Sequence, residues 1–216
     1  MKRINKTGII AIILLSLTFF SMECLAIRKP ADIIERLYGH VSDENGYPIS
    51  NLDVSTFDGF TFRNAKTDNM GQYNISELPV SKNNYLVIFF TKEGFIPKAD
   101  NIVVKEQKNI EHSSVMKINS MEHAGFIIGT VYQPIRGGKL QFNNGIKAFS
   151  KSIEVLLENN GNVITKETDM NGHFLFEAPP GKYTLSKGGS KEKLEIDLSA
   201  GKTVIKNLRS GFVLID

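Results

Sequence analysis

The residues that could carry chemistry are few and widely spaced. His40, His112, His123 and His173 have no spacing that sets two of them on one face, as a metal site built from close pairs requires. Asp43, Glu44 and Asn45 ahead of Gly46 offer oxygen ligands to calcium. The further ligands and the distal bidentate acid of a calcium loop do not follow, so they read as an ordinary turn. Nucleophilic catalysis needs a serine or cysteine beside a base. The only cysteine is Cys24, and no Gly-x-Ser-x-Gly elbow occurs. Gly188-Gly189-Ser190-Lys191 and Gly137-Gly138-Lys139 lack the spacing of a phosphate loop and the hydroxyl residue after its lysine. No catalytic residue, metal ligand or cofactor is assigned, and the expectation is a protein that is not an enzyme.

Two stretches could instead contact a partner. Residues 133–150 carry Arg136, Lys139 and Lys147 without an acidic residue, together with Phe142 and Phe149. A loop inserted into a rigid scaffold is where binding residues concentrate, so Arg136, Lys139, Phe142 and Phe149 are the candidate partner-binding residues. The competing reading is a solvated excursion without a role. The second stretch is Phe57, Phe60 and Phe62 around Asp58-Gly59, for which core packing is the expected use.

The elements that would position these residues follow from an internal echo. Thr67-Asp68-Asn69-Met70-Gly71-Gln72-Tyr73 returns as Thr168-Asp169-Met170-Asn171-Gly172-His173-Phe174. In each, Asp can bond the backbone two residues on, Gly supplies positive φ, and the aromatic opens a strand, so the motif reads as a hairpin corner joining two strands. Leu52-Asp53-Val54 matches Ile153-Glu154-Val155 at the same spacing, and Gly39-His40-Val41 resembles Gly129-Thr130-Val131 at a spacing shorter by about 11 residues, which measures the insertion. Leu78-Pro79 leading to Tyr85 resembles Pro179-Pro180-Gly181-Lys182-Tyr183, where a tyrosine hydroxyl could tie back to nearby backbone as in a tyrosine corner.

Gly-x-Val, then Leu/Ile-x-Val, then Thr-Asp-x-x-Gly-x-aromatic, then Pro and Tyr resembles the carboxypeptidase regulatory-like domain, within the transthyretin-like group of β-sandwiches. Residues 39–49 of the first copy are the better match, and the second departs after Gln133-Pro134. The resemblance implies fold and says little about function. Hydroxyisourate hydrolases share the transthyretin-like fold and end in Tyr-Arg-Gly-Ser, but Leu208-Arg209-Ser210-Gly211 lacks the Tyr and reverses the last pair. Pilus modules of related fold lock themselves with Lys–Asn isopeptide bonds, for which Lys147 and Lys151 are the lysines near strand starts.

The expected class is all-β, with two tandem Ig-like or transthyretin-like sandwiches behind an export leader. Residues 1–26 read as a signal peptide: Lys2, Arg3 and Lys6, then an apolar run, then Cys24-Leu25-Ala26 before a cut at Ile27. The alternatives are an uncleaved anchor helix and lipidation at Cys24. Residues 27–36 form a lead-in, 37–118 the first sandwich, 119–124 a linker, and 125–216 the second sandwich with its insertion at 133–150. So short a linker predicts modules lying end to end. Residues 85–90, apolar on both faces, suit a central strand or one that also meets a neighbour.

The net charge is +3, and removing the leader leaves +1, too weak a field to argue for nucleic acid or an anionic membrane surface. The expected role is a non-catalytic binding or structural module of the cell envelope, periplasmic or extracellular. Its partner would be an envelope protein or a polysaccharide. A carbohydrate or peptide bound in a groove between the modules is the alternative, and a transthyretin-like hydrolase the remote one.

Overall fold

The computed structural model describes residues 33–80, 83–120, 123–136, 145–211 and 213–214. The leader, Cys24 and the linker residues 121–122 lie outside them. Every regular element among the described residues is a strand. In the N-terminal unit these are β1 (Ile33–Asp43), β2 (Asp53–Phe57), β3 (Phe62–Lys66), β4 (Gln72–Pro79), β5 (Tyr85–Thr91), β6 (Phe95–Ile96), β7 (Lys98–Val103), β8 (Asn109–Glu111) and β9 (Ser114–Ile118). The C-terminal unit has β10 (Gly125–Arg136), β11 (Ile146–Phe149), β12 (Glu154–Asn159), β13 (Asn162–Glu167), β14 (His173–Ala178) and β15 (Gly181–Lys187). It ends with β16 (Lys193–Leu198), β17 (Thr203–Ile205), β18 (Leu208–Arg209) and β19 (Val213–Leu214). The first strand starts at Ile33, inside the stretch read as a lead-in, because Ile34 packs into the core and β1 pairs along the length of β4.

Each unit is a sandwich with its own apolar core. In the first, β4-β1-β9-β6 with β8 faces β3-β2-β5-β7, and Leu37, Val41, Leu52, Val54, Leu86, Ile88 and Phe90 fill the space between. In the second, β13-β12-β15-β16 faces β14-β10 with β17 and β18, around Ile127, Val131, Val155, Leu157, Phe174, Phe176 and Leu185. The alternation of strand side chains places every second residue of β5 and β10 in these cores.

The echoed motif builds the same joint twice. Asp68 Oδ1 accepts from Met70 N and Gln72 N at 2.8 and 2.9 Å, and Asp169 Oδ1 accepts from Asn171 N and His173 N at 2.8 Å. Gly71 and Gly172 sit at φ 73° and 77°, where a side chain is strained. Thr67 Oγ1 donates to Ile49 O and accepts from Leu52 N, and Thr168 Oγ1 donates to Ser150 O and accepts from Ile153 N. The joint is a corner but not a hairpin. β3 pairs with β2 and β4 with β1, so the chain crosses there from one sheet to the other, as it does between β13 and β14. The same turn occurs a third time, where Asp43 Oδ1 accepts from Asn45 N and Tyr47 N. That oxygen, offered above to calcium, therefore serves backbone donors.

Gly39 and Gly129 have a second shared role. A Cβ on either would lie 1.9 Å from His112 O or 1.7 Å from Lys206 O. At these points the parallel partner strand breaks, between β8 and β9 and between β17 and β18. The N–H of the next residue is then met by a side chain: His40 N donates to Ser113 Oγ, and Thr130 N to Asn207 Oδ1, at 3.1 and 3.0 Å.

The two units do not lie end to end. The outward residues of the facing strands, Phe57, Val87 and Phe89 from one unit and Ile128, Tyr132 and Ile146 from the other, form a third buried cluster. This explains the two apolar faces of β5: Leu86, Ile88 and Phe90 fill the first core, and Val87 and Phe89 the seam. β11, inside the predicted insertion, pairs with β10 and at Ile146 with Tyr85 of β5, so one ten-stranded sheet runs through both units. The structure is thus four layers deep, its middle two being parts of that sheet folded back on itself. β19 adds a short parallel pairing to the end of β10.

Candidate partner-binding face

The insertion residues divide between the seam and the surface. Arg136 ends β10, with its backbone paired to Leu214. Lys139 and Phe142 fall outside the described residues. Phe149 is half-buried in the seam, its ring centroid 5.5 Å from Tyr85 and 6.0 Å from His173. Its packing there accounts for it without a partner. Lys147 and Lys151 are exposed, which removes them from any buried isopeptide arrangement.

The aromatic residues beside the insertion depart from expectation. Phe57 is buried in the seam, with its ring edge-on to Tyr132 at 5.1 Å. Phe60 and Phe62, expected in a core, are 42% and 43% exposed. The cause is local. Asp58-Gly59 does not make a two-residue hairpin: Phe57 pairs with Phe62 across four loop residues. Asp58 Oδ1 accepts from Phe60 N and Thr61 N at 2.8 Å, and Oδ2 from Thr61 Oγ1 at 3.0 Å, which fixes the loop and turns Phe60 outward. Gly59 abuts the returning arm of the insertion, where a Cβ would stand 3.2 Å from Gly145 O. Its own carbonyl accepts the Tyr132 hydroxyl at 3.2 Å, tying the loop to β10. Phe60 therefore sits on a braced loop, and Phe62 opens β3 beside it with its ring 4.7 Å from that of Phe57.

The densest set of titratable groups lies elsewhere and was not legible from spacing. His112 Nε2 and Asp100 Oδ2 are 3.1 Å apart, Lys98 Nζ is 3.3 Å from Asp100 and donates to Ser114 Oγ at 2.9 Å, and the Tyr73 hydroxyl donates to His112 O. Burial opposes ionisation of Asp100, but the His112 hydrogen bond and the Lys98 ammonium outweigh it and hold its carboxyl below the usual range. Burial, reinforced by Asp100, pushes the Tyr73 phenol up. A hydrolytic triad needs the hydroxyl on the imidazole. Here the Ser114 hydroxyl accepts from Lys98, whose ammonium faces the Asp100 carboxylate, so the set latches β7 to β9 across the first sandwich. No group of three or more metal-ligating side chains occurs among the described residues.

Polar side chains also meet at the seam. Asn101 Nδ2 donates to Asn171 O across it at 2.9 Å. His173 is 8% exposed, and neither its ring nitrogens nor Asn101 Oδ1 has a hydrogen-bond partner among the described residues. Burial lowers the His173 pKa, with Asp169 and Asp100 opposing. These side chains and the apolar cluster pack together where the two units meet.

No family model matches the chain, the carboxypeptidase regulatory-like domain included. No curated protein matches it. Among solved structures it is similar to the TIE protein of Bacillus anthracis, at 15% identity and TM-score 0.34, over 82% of this chain and 33% of that one. It is similar to BcpA, the major pilin subunit of Bacillus cereus, at 11% identity and TM-score 0.34, over 81% of this chain and 98% of that one. A chlorocatechol 1,2-dioxygenase from Pseudomonas putida gives 12% identity and TM-score 0.31, over 42% of this chain and 62% of that one. The chain spans a third of the length of the TIE protein. At these identities and scores the likenesses assign neither a family nor a function.

Proposed function

We propose that this is an exported, non-catalytic binding or structural protein of the cell envelope, periplasmic or extracellular, which meets an envelope protein or polysaccharide through the face beside the insertion. The observation that carries the reading is the exposed pair Phe60, on a loop braced by Asp58 and Tyr132, and Phe62, at the start of β3. Exposed aromatics on a rigid mount are the usual anchors of an interface, and their ordering cost is already met in the free protein. In this reading Arg136, Lys139 and Phe142 remain candidate partner contacts, and Phe149 packs in the seam. The apolar leader at residues 1–26 is the basis for export.

The test uses immobilised protein lacking the leader and an extract of its own envelope. Phe60→Ser with Phe62→Ser, or replacement of residues 137–144 by a short Gly-Ser linker, is expected to abolish retention of the partner. Retention unchanged by both would remove this face. Deleting the whole insertion would be a poor test, since Ile146 and Phe149 belong to the seam. Reproducible turnover of model esters, peptides or ureides by the purified protein would defeat the non-catalytic reading.

A further inference from the structure

The seam between the sandwiches closes over an imidazole. Strand alternation sets His173 and Leu175 on the outward face of β14, and Ala99 and Asn101 on that of β7, so the two strands meet there. His173 pairs with Thr130 of β10, and its ring centroid lies 6.0 Å from that of Phe149 on β11. Neither ring nitrogen has a hydrogen-bond partner among the described residues, nor has Asn101 Oδ1 on the facing strand. A neutral imidazole has one N–H to leave unmet. An imidazolium has two and a full charge, which burial penalises far more.

Two carboxylates face the ring and oppose that penalty, Asp169 of its own corner and Asp100 on β7. Both are already engaged. Asp169 Oδ1 accepts two backbone N–H groups, and Asp100 is held by Lys98 and His112. Lys147 on β11 is exposed, and Lys166 on β13 lies over Phe176, farther along β14. Burial outweighs the carboxylates, so the closed seam favours neutral His173. That preference is complete above the ordinary value of about 6.5 and is lost as pH falls through the closed-state value.

The other polar ties across the seam are slight among the described residues. The Tyr132 hydroxyl donates to Gly59 O at 3.2 Å, Ile146 pairs with Tyr85, and Lys202 and Glu93 form an exposed ion pair at 2.9 Å. Each sandwich has a core of its own, so parting them exposes the seam cluster without emptying either core. We propose that protonation of His173 shifts the seam toward an open state, in which the sandwiches part while each stays folded. In that state water reaches both ring N–H groups and Asn101 Oδ1. The device does not depend on the face at Phe60 holding a partner.

The test is the labelling rate of Val87→Cys by 4,4′-dithiodipyridine, in protein lacking its leader, divided at each pH by the rate in concentrated urea. Val87 is fully buried in the seam, and Cys24 leaves with the leader, so the new thiol is alone. Between about pH 7.5 and about pH 5 the relative rate should rise about tenfold or more, while amides in β1 and β12 keep their protection from exchange. The rise should be absent in His173→Gln, which repeats the Gln72 of the first copy, and in His173→Leu. An equal rise in both variants overturns the proposal. So does a rate that stays level or falls in mild acid with His173 present, since the imidazolium would then be accommodated in the closed seam. Loss of protection in β1 and β12 over the same pH range also overturns it, by making the event an unfolding of the sandwiches themselves.

Discussion

Asp68 and Asp169 each satisfy two backbone N–H groups with one carboxylate oxygen, at the point where the chain changes sheets. Replacing Asp169 by Ala strands both donors and frees the turn. We expect a loss of about 1–2 kcal/mol in urea unfolding, while Asp169→Asn, which keeps an acceptor, loses a small fraction of that. His173 makes a pH-dependent prediction. Its folded pKa is depressed by burial, so neutral His173 is favoured in the folded protein. Its share of stability is complete above the ordinary value near 6.5 and is lost as pH falls from there through the folded pKa. Wild-type protein should lose more stability between about pH 7 and pH 5 than His173→Leu, by urea midpoint at each pH. An equal slope in the two would place the effect on other groups. At this scale the turn residues were legible, because Asp-x-x-Gly acts through bonds within five residues. The exposure of Phe60 and the Lys98–Asp100–His112 latch were not. Both depend on which strands lie opposite, and spacing alone does not give that.

Two strands, β1 and β10, organise the units, and each needs a glycine where its parallel partner breaks. Gly129→Ala would drive a methyl into the Lys206 carbonyl and the Phe174 ring, which lies 2.6 Å from the Cβ position. We expect a loss of at least about 2 kcal/mol, and a similar loss for Gly39→Ala, measured by thermal unfolding. Tyr183→Phe should cost about 0.5–1.5 kcal/mol through its lost bond to Pro179 O. Tyr85, read as its counterpart, has moved to the seam, where its backbone pairs with Ile146 and its ring meets Phe149. The strands that flank the repeated motifs were readable from turn residues, and β5 from its two apolar faces. β8 was not, since Asn109-Ile110-Glu111 is too short to show a period. The Gly39 and Gly129 spacing pointed to a repeat, but its cause, contact with carbonyls 73 and 77 residues away, has no local signature.

Across the whole molecule, the insertion that breaks the repeat is also what joins its halves. β11 pairs with β10 and touches β5, and Ile146 is fully buried between the units. The sequence held one trace of this, the apolar outward face of β5, which a solvated strand would not keep. It held no trace of the face-to-face arrangement, because linker length restricts the reach of two modules without choosing their faces. A packed seam fixes the relation between the two sandwiches. It also makes each sandwich depend on the other for part of its stability.

Unfolding of the wild-type protein and of Ile128→Asp in urea, followed residue by residue by amide exchange, tests that dependence most directly. Ile128 is buried in the seam and lies outside both unit cores. Wild-type protein should unfold in one transition shared by β5 and β14, and Ile128→Asp in two, with each sandwich melting separately. Two separate transitions in the wild type, or a single unchanged one in the variant, would contradict a structure held together at its seam.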